Sequence, residues 1–365
     1  MVAALGTKGV VHLLDTFGSA ERIFDATADQ LVGEAMLRED VARNIVSRAS
    51  FAAAEKEIAY CRKHNIKAIA STDPEYPQIM RECNDYPHVL YVLGEVEPLQ
   101  KRTITFVGTR RMTPYGERAC NTLIQGLAER IPDLCIVSGL AYGIDAAAHR
   151  ASIAYGAATV ATVANPLPEV TPRSHTDLAR DIIAHGGAII SELPSSTKMN
   201  GSYYISRNRI MAALGYGTVV VESAASGGSL ATAKFADSYN RSVMAVPGRI
   251  TDSASQGANL LIRNRKAQAV MSALDIADEL MWELDLPSTP AAKEQTVREI
   301  ADSLLPVERD ILRCFGNADT LSLAQLGNAS GLSAGELSAH MLSLELAGAV
   351  RQLPGNIYEK LIDND

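Results

Sequence analysis

The sequence holds no apolar run of about 18 residues or more, so no transmembrane helix is read from it. Its first residues, Met1-Val2-Ala3-Ala4-Leu5, carry no basic region and no clear cleavage site, and the expectation is a cytoplasmic chain with no membrane partner. Cysteines stand at 61, 83, 120, 135 and 314, an odd number with no pair at CxxC spacing. That argues against a disulfide framework or a cysteine metal site, and for reduced, mostly buried thiols. No nucleophile with a paired base, no His-Glu-x-x-His, no Gly-Lys-Ser/Thr loop and no catalytic pair of carboxylates is recognisable. Neither a cofactor nor a metal is therefore expected.

Positive charge is scarce overall: 34 Lys and Arg face 42 Asp and Glu, a net of −8. At first sight this excludes a polyanion binder, but the distribution reverses that reading. Residues 101–250 carry 15 basic against 10 acidic residues, whereas 1–100 carry 10 against 15 and 251–365 carry 9 against 17. A basic middle between acidic ends places any polyanion site in the middle.

A length of 365 residues suits two or three domains. Residues 1–70 read as helices, with Ser19 before Ala20-Glu21-Arg22 as one helix start and a second helical stretch over about 39–65. Residues 71–100 are a proline-punctuated connection ending in a short strand at 89–94. Over 101–282, short apolar runs at 104–107, 134–137, 158–163, 188–191, 218–221 and 243–246 alternate with helical segments. Runs apolar on both faces, separated by helices, predict a parallel sheet with crossover helices, whose ligands bind at the carboxyl edge. Residues 283–305 read as a polar linker, and 306–365 as a separate module. Helices near 307–315, 322–329 and 333–347 followed by two strands around Pro354-Gly355 give that module a winged-helix outline.

Five loop-to-helix turns in the basic middle suit an anion. Gly108-Thr109-Arg110-Arg111 offers a backbone that can approach a ligand, a hydroxyl, amides and a guanidinium fork. Ser138 to Asp145 holds Gly139 and Gly143, but it is not Gly-x-Gly-x-x-Gly and lacks the acidic residue of a ribose site. Within it, Asp145 and His149 share a helical face. They read either as an acid–base pair or as a capping Asp and a packed His, and the second reading is preferred. Thr171-Pro172-Arg173-Ser174-His175 places Arg173 in a loop on the binding edge. Tyr204, Arg207, Asn208 and Arg209 combine a ring that can stack on a base with groups that can hold a phosphodiester, although the ring could also serve the core. Ser226-Gly227-Gly228-Ser229, with Thr232 a turn later, again presents amides and hydroxyls. Five such turns without a catalytic constellation point to a binding protein.

At these residues the chain resembles the bacterial DNA-processing protein A family, DprA, also called Smf. The Gly-Ser/Thr-Arg motif is matched by Gly108-Thr109-Arg110, and Ser-Gly-x-Ala-x-Gly-Ile-Asp by Ser138 to Asp145. Phe-Pro-x-Arg-Asn-Arg-Ile-Ile-Ala-Gly is matched from Tyr204 to Ala213, with Tyr204-Ile205 in place of Phe-Pro and Ala213 in place of the glycine. Glu222-Ser223, Gly227 to Ala233, and Ala245-Val246-Pro247-Gly248 complete the likeness. The resemblance implies an extended Rossmann-type core, an N-terminal sterile-alpha-motif-like helical domain and a C-terminal winged helix. It implies binding of single-stranded DNA as a homodimer and loading of a RecA-type recombinase during natural transformation. It also makes Arg173 the counterpart of a basic DNA contact in a Tyr-Pro-x-x-Asn loop. The DNA-binding residues expected on these grounds are Gly108, Thr109, Arg110, Arg173, Tyr204, Arg207, Asn208, Gly227, Gly228, Ser229 and Thr232.

Two other functions fit the residues less well. A Rossmann-type nucleotide-processing enzyme would carry Pro-Gly-Gly-x-Gly-Thr-x-x-Glu, and the corresponding stretch from Ala225 to Leu230 lacks the trailing Glu. A sequence-specific regulator would need a basic recognition helix, but 333–347 holds Glu336 and Glu345 and no Lys or Arg.

Overall fold

The computed structural model describes residues 5–284 and 304–360, apart from 317, 319, 348 and 354. The chain divides into two units between Leu284 and Asp285. Most of the expected linker therefore lies outside the described residues.

The first unit is built on a nine-stranded sheet: β1 (Ile66–Ala70), β2 (Val89–Gly94), β3 (Arg102–Val107), β4 (Leu134–Ser138), β5 (Ala158–Thr162), β6 (Ala188–Ser191), β7 (Gly217–Val220), β8 (Ser242–Ala245) and β9 (Gln268–Ala269). Their order across the sheet is β1-β2-β6-β5-β4-β3-β7-β8-β9. From β6 to β9 every neighbouring pair is parallel, as the doubly apolar runs predict. The chain leaves β3 in one direction through β4, β5 and β6. It then recrosses by the helix Tyr203–Leu214 to lay β7, β8 and β9 on the other side. The order thus reverses at β3, the geometry at which open α/β sheets bind ligands.

Side-chain alternation along β3 sorts the two faces. Ile104 and Phe106 pack with the helices Pro114–Ala128 and Ile144–Ala154. Thr103 and Thr105 face the opposite side, where their hydroxyls donate to the carbonyls of Leu214 (2.5 Å) and Met211 (2.7 Å). Both carbonyls lie in the last turn of the helix Tyr203–Leu214; that of Met211 also accepts from the Gly215 amide (3.1 Å), so the two buried threonines satisfy their hydroxyls on the end of that helix.

Residues 66–70 depart from the helical expectation for 1–70. Ile66 and Ile69 are buried while Lys67 and Ala68 are exposed, and the segment pairs antiparallel with β2, which itself pairs antiparallel with β6. An Ala- and Lys-containing stretch has little strand propensity of its own; the open edge of β2 decides its state. Five helices precede it, from Thr7–Phe17 to Phe51–Lys63; the expected stretch over 39–65 divides into Glu39–Val46 and Phe51–Lys63, and the Ser19 hydroxyl accepts from the Arg22 amide (3.3 Å) as a helix start requires. Phe51–Lys63 docks on the sheet unit. The Glu57 carboxylate accepts from the Ser195 amide (2.8 Å) and hydroxyl (2.6 Å), and the Tyr60 hydroxyl donates to the Leu167 carbonyl (3.2 Å). Cys61, Cys83, Cys120 and Cys135 are buried free thiols.

The second unit is a winged helix. The helices Pro306–Arg313, Leu323–Ser330 and Ala334–Leu346 pack around Ile311, Phe315, Leu326, Leu337, Met341 and Leu344. Beside them lies a sheet of β10 (Thr320–Ser322), β12 (Ile357–Lys360) and β11 (Val350–Leu353). Glu336 closes a capping box with Ser333, and His340 lies 3.5 Å from the buried Glu308. Both side chains are thus engaged within the module.

His149 is fully buried on the helix Ile144–Ala154, its Nδ1 2.7 Å from the Thr159 hydroxyl. Burial, with smaller contributions from His175, Arg207 and Arg150, pushes its pKa from 6.5 down to about 3. Between those values the unfolded chain binds the extra proton. The stability this residue contributes is complete above pH 6.5 and declines as pH falls toward 3. The expected loss at pH 5 is about 2 kcal/mol relative to pH 7.5. Urea unfolding of the parent and of His149→Gln at the two pH values checks this: the variant should show the shallower dependence, and equal dependence would contradict the assignment.

Candidate nucleic-acid interface

The turns after β3, β4, β5 and β7 lie along the carboxyl edge of the sheet, and hydrogen bonds tie neighbouring turns together. The Thr109 amide donates to the Glu222 carbonyl (2.7 Å), and the Thr109 carbonyl accepts from the Ile144 amide (3.2 Å). Gly143 has φ +75°, and a Cβ there would sit 2.2 Å from the Thr109 carbonyl oxygen. The β3 turn can rest on the β4 turn only because that residue is glycine. The Glu222 side chain is 1 % exposed, and its carboxylate accepts from the Thr113 amide (2.9 Å) and hydroxyl (2.6 Å). The Thr113 hydroxyl in turn accepts from the Gly116 amide (3.2 Å), capping the helix Pro114–Ala128. One buried carboxylate thereby joins β7 to the turn that carries Arg110.

Arg110 is exposed, and its guanidinium lies 5.7 Å from the centre of the half-buried Tyr204 ring. The two strongest sequence candidates, 94 positions apart, meet in a cation–π contact worth about 0.5–1 kcal/mol at an exposed site. Arg110, Arg111 and Arg173 have no carboxylate within ion-pair distance among the described residues. Arg209, Arg241 and Arg102 are instead paired with Glu192, Glu82 and Asp133. Unneutralised guanidinium groups on one sheet edge form a local positive field on a chain of net negative charge.

Arg173 is exposed on the turn after β5. Its neighbours fasten that turn to the β4 turn: Ser174 and Tyr142 share a hydroxyl–hydroxyl bond of 2.8 Å, and His175 Nδ1 lies 2.8 Å from the Leu140 carbonyl. Leu140 is buried with φ +56°, a left-handed conformation that costs a non-glycine residue of order 1–3 kcal/mol. The Asn208 amide reaches the Gly228 carbonyl (3.5 Å), linking the helix Tyr203–Leu214 to the turn before Ser229–Ser238.

Several expected contacts lie elsewhere than the sequence suggested. The Thr109 amide is spent on Glu222 and is not available to a phosphate. Gly108 and Gly227 are required by packing, since a Cβ would meet Ile144 at 2.5 Å and the Ser223 hydroxyl at 2.3 Å, respectively. Ser229 is buried and bonded to Ser223 (2.9 Å), and Thr232 is 1 % exposed. Arg207 is 6 % exposed and points inward. Their motif spacing was correct, but helical phase turns them to the core. Asp145 and His149 are likewise interior; the packed reading holds for His149, whereas Asp145 does not cap the helix, whose N-cap is Gly143 with no side-chain bond. Sequence reasoning missed Glu222 and Tyr142 as site residues; the acidic residue directly after a doubly apolar strand was the available signal for the first.

Among the described residues, no group of three or more His, Cys, Asp or Glu could hold a metal ion, and no helix is long and apolar enough to cross a membrane.

Gly143→Ala is expected to destabilise the protein by about 1–3 kcal/mol, because the added methyl meets backbone and the left-handed φ is kept. A shift of the denaturant midpoint measures it, and an unchanged midpoint would show that the two turns are not interlocked.

The family model for DNA recombination-mediator protein A matches residues 67–281, and that for the DprA winged helix domain matches 290–356. Protein Smf of Escherichia coli K12 is 32 % identical over 302 residues, covering 82 % of this chain and 79 % of its own. The DNA processing protein DprA of Bacillus subtilis is 37 % identical over 224 residues, covering 61 % of this chain and 74 % of its own. The X-ray structure of DprA from Streptococcus pneumoniae aligns at TM-score 0.65 and 27 % identity, covering 76 % of this chain and 94 % of that one. DNA processing protein A of Helicobacter pylori, studied for its single-stranded DNA binding mode, aligns at TM-score 0.53 and 25 % identity over 60 % of this chain and 96 % of that one. With its sheet unit matched to the recombination mediator and its tail to the corresponding winged helix, the chain belongs to the DprA/Smf family of DNA-processing proteins.

Proposed function

We propose that this protein binds single-stranded DNA along the carboxyl edge of its sheet, with Arg110 and Arg173 on phosphates and Tyr204 stacked on a base. The observation that carries the reading is the Arg110–Tyr204 contact. A free guanidinium beside a ring on the rim of a switch-point crevice can take a phosphate and a base from the same nucleotide. Every base has a π-face, so such a site tolerates any sequence but requires an unstacked strand. The single-stranded DNA binding mode described for the Helicobacter pylori relative supports it.

In this reading the protein serves DNA processing by holding incoming single strands in the cytoplasm, as a homodimer, and passing them to a RecA-type recombinase. The support is the family's description as a recombination mediator. A nucleotide-processing activity is disfavoured by the burial of Asp145 and His149, the acid–base pair that helical spacing offered. The acidic tail is assigned to a protein contact, or is dispensable for DNA binding. Deleting it after about residue 290 should leave single-strand affinity in place.

Labelled single strands should bind more tightly than duplex at matched salt, with affinity falling steeply as salt rises. Arg110→Ala should weaken binding by about 1–3 kcal/mol, and Arg173→Ala by the same or less. Tyr204→Ala should cost about 1–3 kcal/mol and Tyr204→Phe much less. Equal affinity for duplex, or full affinity in Arg110→Ala with a normal melt, would overturn the placement. Recombinase filament assembly on protein-coated single strands tests the loading step separately.

A further inference from the structure

We propose that Arg207 is a positioning residue that acts on the bound strand only through Tyr204, and that it is not a phosphate ligand. The inference rests on the single-strand reading above and assigns a role to a motif arginine that is buried.

Four observations converge on it. First, the guanidinium is directed into the protein. Nη1 donates to the Thr162 carbonyl at the end of β5 (3.1 Å), contacts Met211 Sδ (3.4 Å), and lies 3.9 Å from the Asp145 carboxylate. Second, the β4 turn closes over it. A Cβ on Gly139 would lie 1.5 Å from Arg207 Nη1 and 2.6 Å from the Asp145 carboxylate, so the guanidinium occupies the space that a side chain at 139 would need. Third, its charge is already opposed by Asp145, itself buried, and a pair enclosed in this way offers little net field to a phosphate. Arg110, with no carboxylate partner among the described residues, differs in this respect.

Fourth, side-chain burial in the turn that carries Tyr204 is sparse before Arg207, the ties of Asn208 to Gly228 and of Arg209 to Asp85 and Glu192 coming after it. Ser202 at the helix start makes no side-chain cap bond, and Ile205 is 60 % exposed. Arg207 is the first residue of the helix Tyr203–Leu214 whose side chain is buried, and continuous burial resumes only at Ile210. Tyr204 stands three positions earlier, on the same face of the helix. The bonds of Arg207 to β5 and toward Asp145 therefore set the rotation of the first turn. That rotation decides whether the ring meets Arg110.

The test compares Asp145→Asn and Arg207→Lys with the parent, each alone and combined with Tyr204→Ala. Asp145→Asn keeps the shape of the residue and removes the charge that holds Arg207 inward, so it carries the test if Arg207→Lys fails to fold. Two readouts are taken: amide hydrogen exchange over 203–206 in the free protein, and single-strand affinity as a function of salt. Positioning predicts faster exchange over 203–206 in both variants and affinity lowered roughly 5- to 150-fold at every salt, the range for a lost stack. The salt slope should be unchanged, and Tyr204→Ala should add no further loss.

A phosphate ligand predicts the opposite. Arg207→Lys would then be additive with Tyr204→Ala, or Asp145→Asn, by releasing the guanidinium, would bind more tightly with a steeper slope. Either result overturns the proposal, as does unchanged exchange in a folded variant. If the parent itself binds no single strand, the functional reading fails, and hydrogen exchange alone then decides whether Arg207 orders the turn.

Discussion

The arrangement at the carboxyl edge depends on the bonds made by Glu222. A carboxylate taken out of water is costly unless its oxygens are filled, and here the amide and hydroxyl of Thr113 fill one on each side. Its backbone carbonyl holds the Thr109 amide as well. Three bonds from one residue thus fix the whole turn between β3 and its helix to the end of β7. That turn carries Arg110 and rests on Gly143, and the β4 turn beyond is fastened to the β5 turn by Tyr142 and His175. The edge is therefore a chain of interlocked loops whose polar groups are mostly consumed internally. Long side chains such as those of Arg110, Arg111, Arg173, Tyr142 and part of Tyr204 remain exposed on it.

This division between a satisfied floor and a sparse exposed layer has a physical logic. Loop amides that bond one another hold the turns in place without a ligand, so little ordering entropy remains to be lost on binding. The approach to Tyr204 is braced from further away. Glu57, on the last helix before β1, takes both the amide and hydroxyl of Ser195 in the segment leading to the helix Tyr203–Leu214. Arg209, one turn into that helix, reaches the Asp85 carbonyl (2.6 Å) and pairs with Glu192. Tyr239 donates to the Asp85 carboxylate from the next helix (2.5 Å). The proline-punctuated stretch before β2 is thereby held against the helices behind the proposed site.

The charge pattern agrees with this architecture. A net-negative chain can hold a polyanion if its positive groups are unpaired and gathered where the strand passes, since attraction falls off within about 10 Å at moderate salt. In the winged helix, Ala334–Leu346 has no cationic side chain, and its exposed polar groups are bonded to their own module. That helix therefore adds no positive field to the one formed by the unpaired arginines of the sheet unit.

Local chemistry was enough to establish the parallel sheet, the turns that follow its strands and the winged helix. Short runs apolar on both faces and bounded by glycine, proline or helical segments suit central parallel strands, and helical spacing in 306–346 selects the core. The motif residues at 108–110, 138–145 and 204–213 were likewise legible, because those residue types at those spacings have few other uses. What tertiary structure alone decided was which way each side chain faces. Residues 66–70 became a strand because β2 presents an open edge. Arg207 and Thr232 turned inward because the phase of a helix is set by what it packs against, and both share a face with buried neighbours. Arg110 and Tyr204 became partners because the chain recrosses the sheet between β6 and β7, a contact that no local rule contains. Sequence determines which groups are present and where the backbone turns; packing across the sheet determines which of them remain for a ligand.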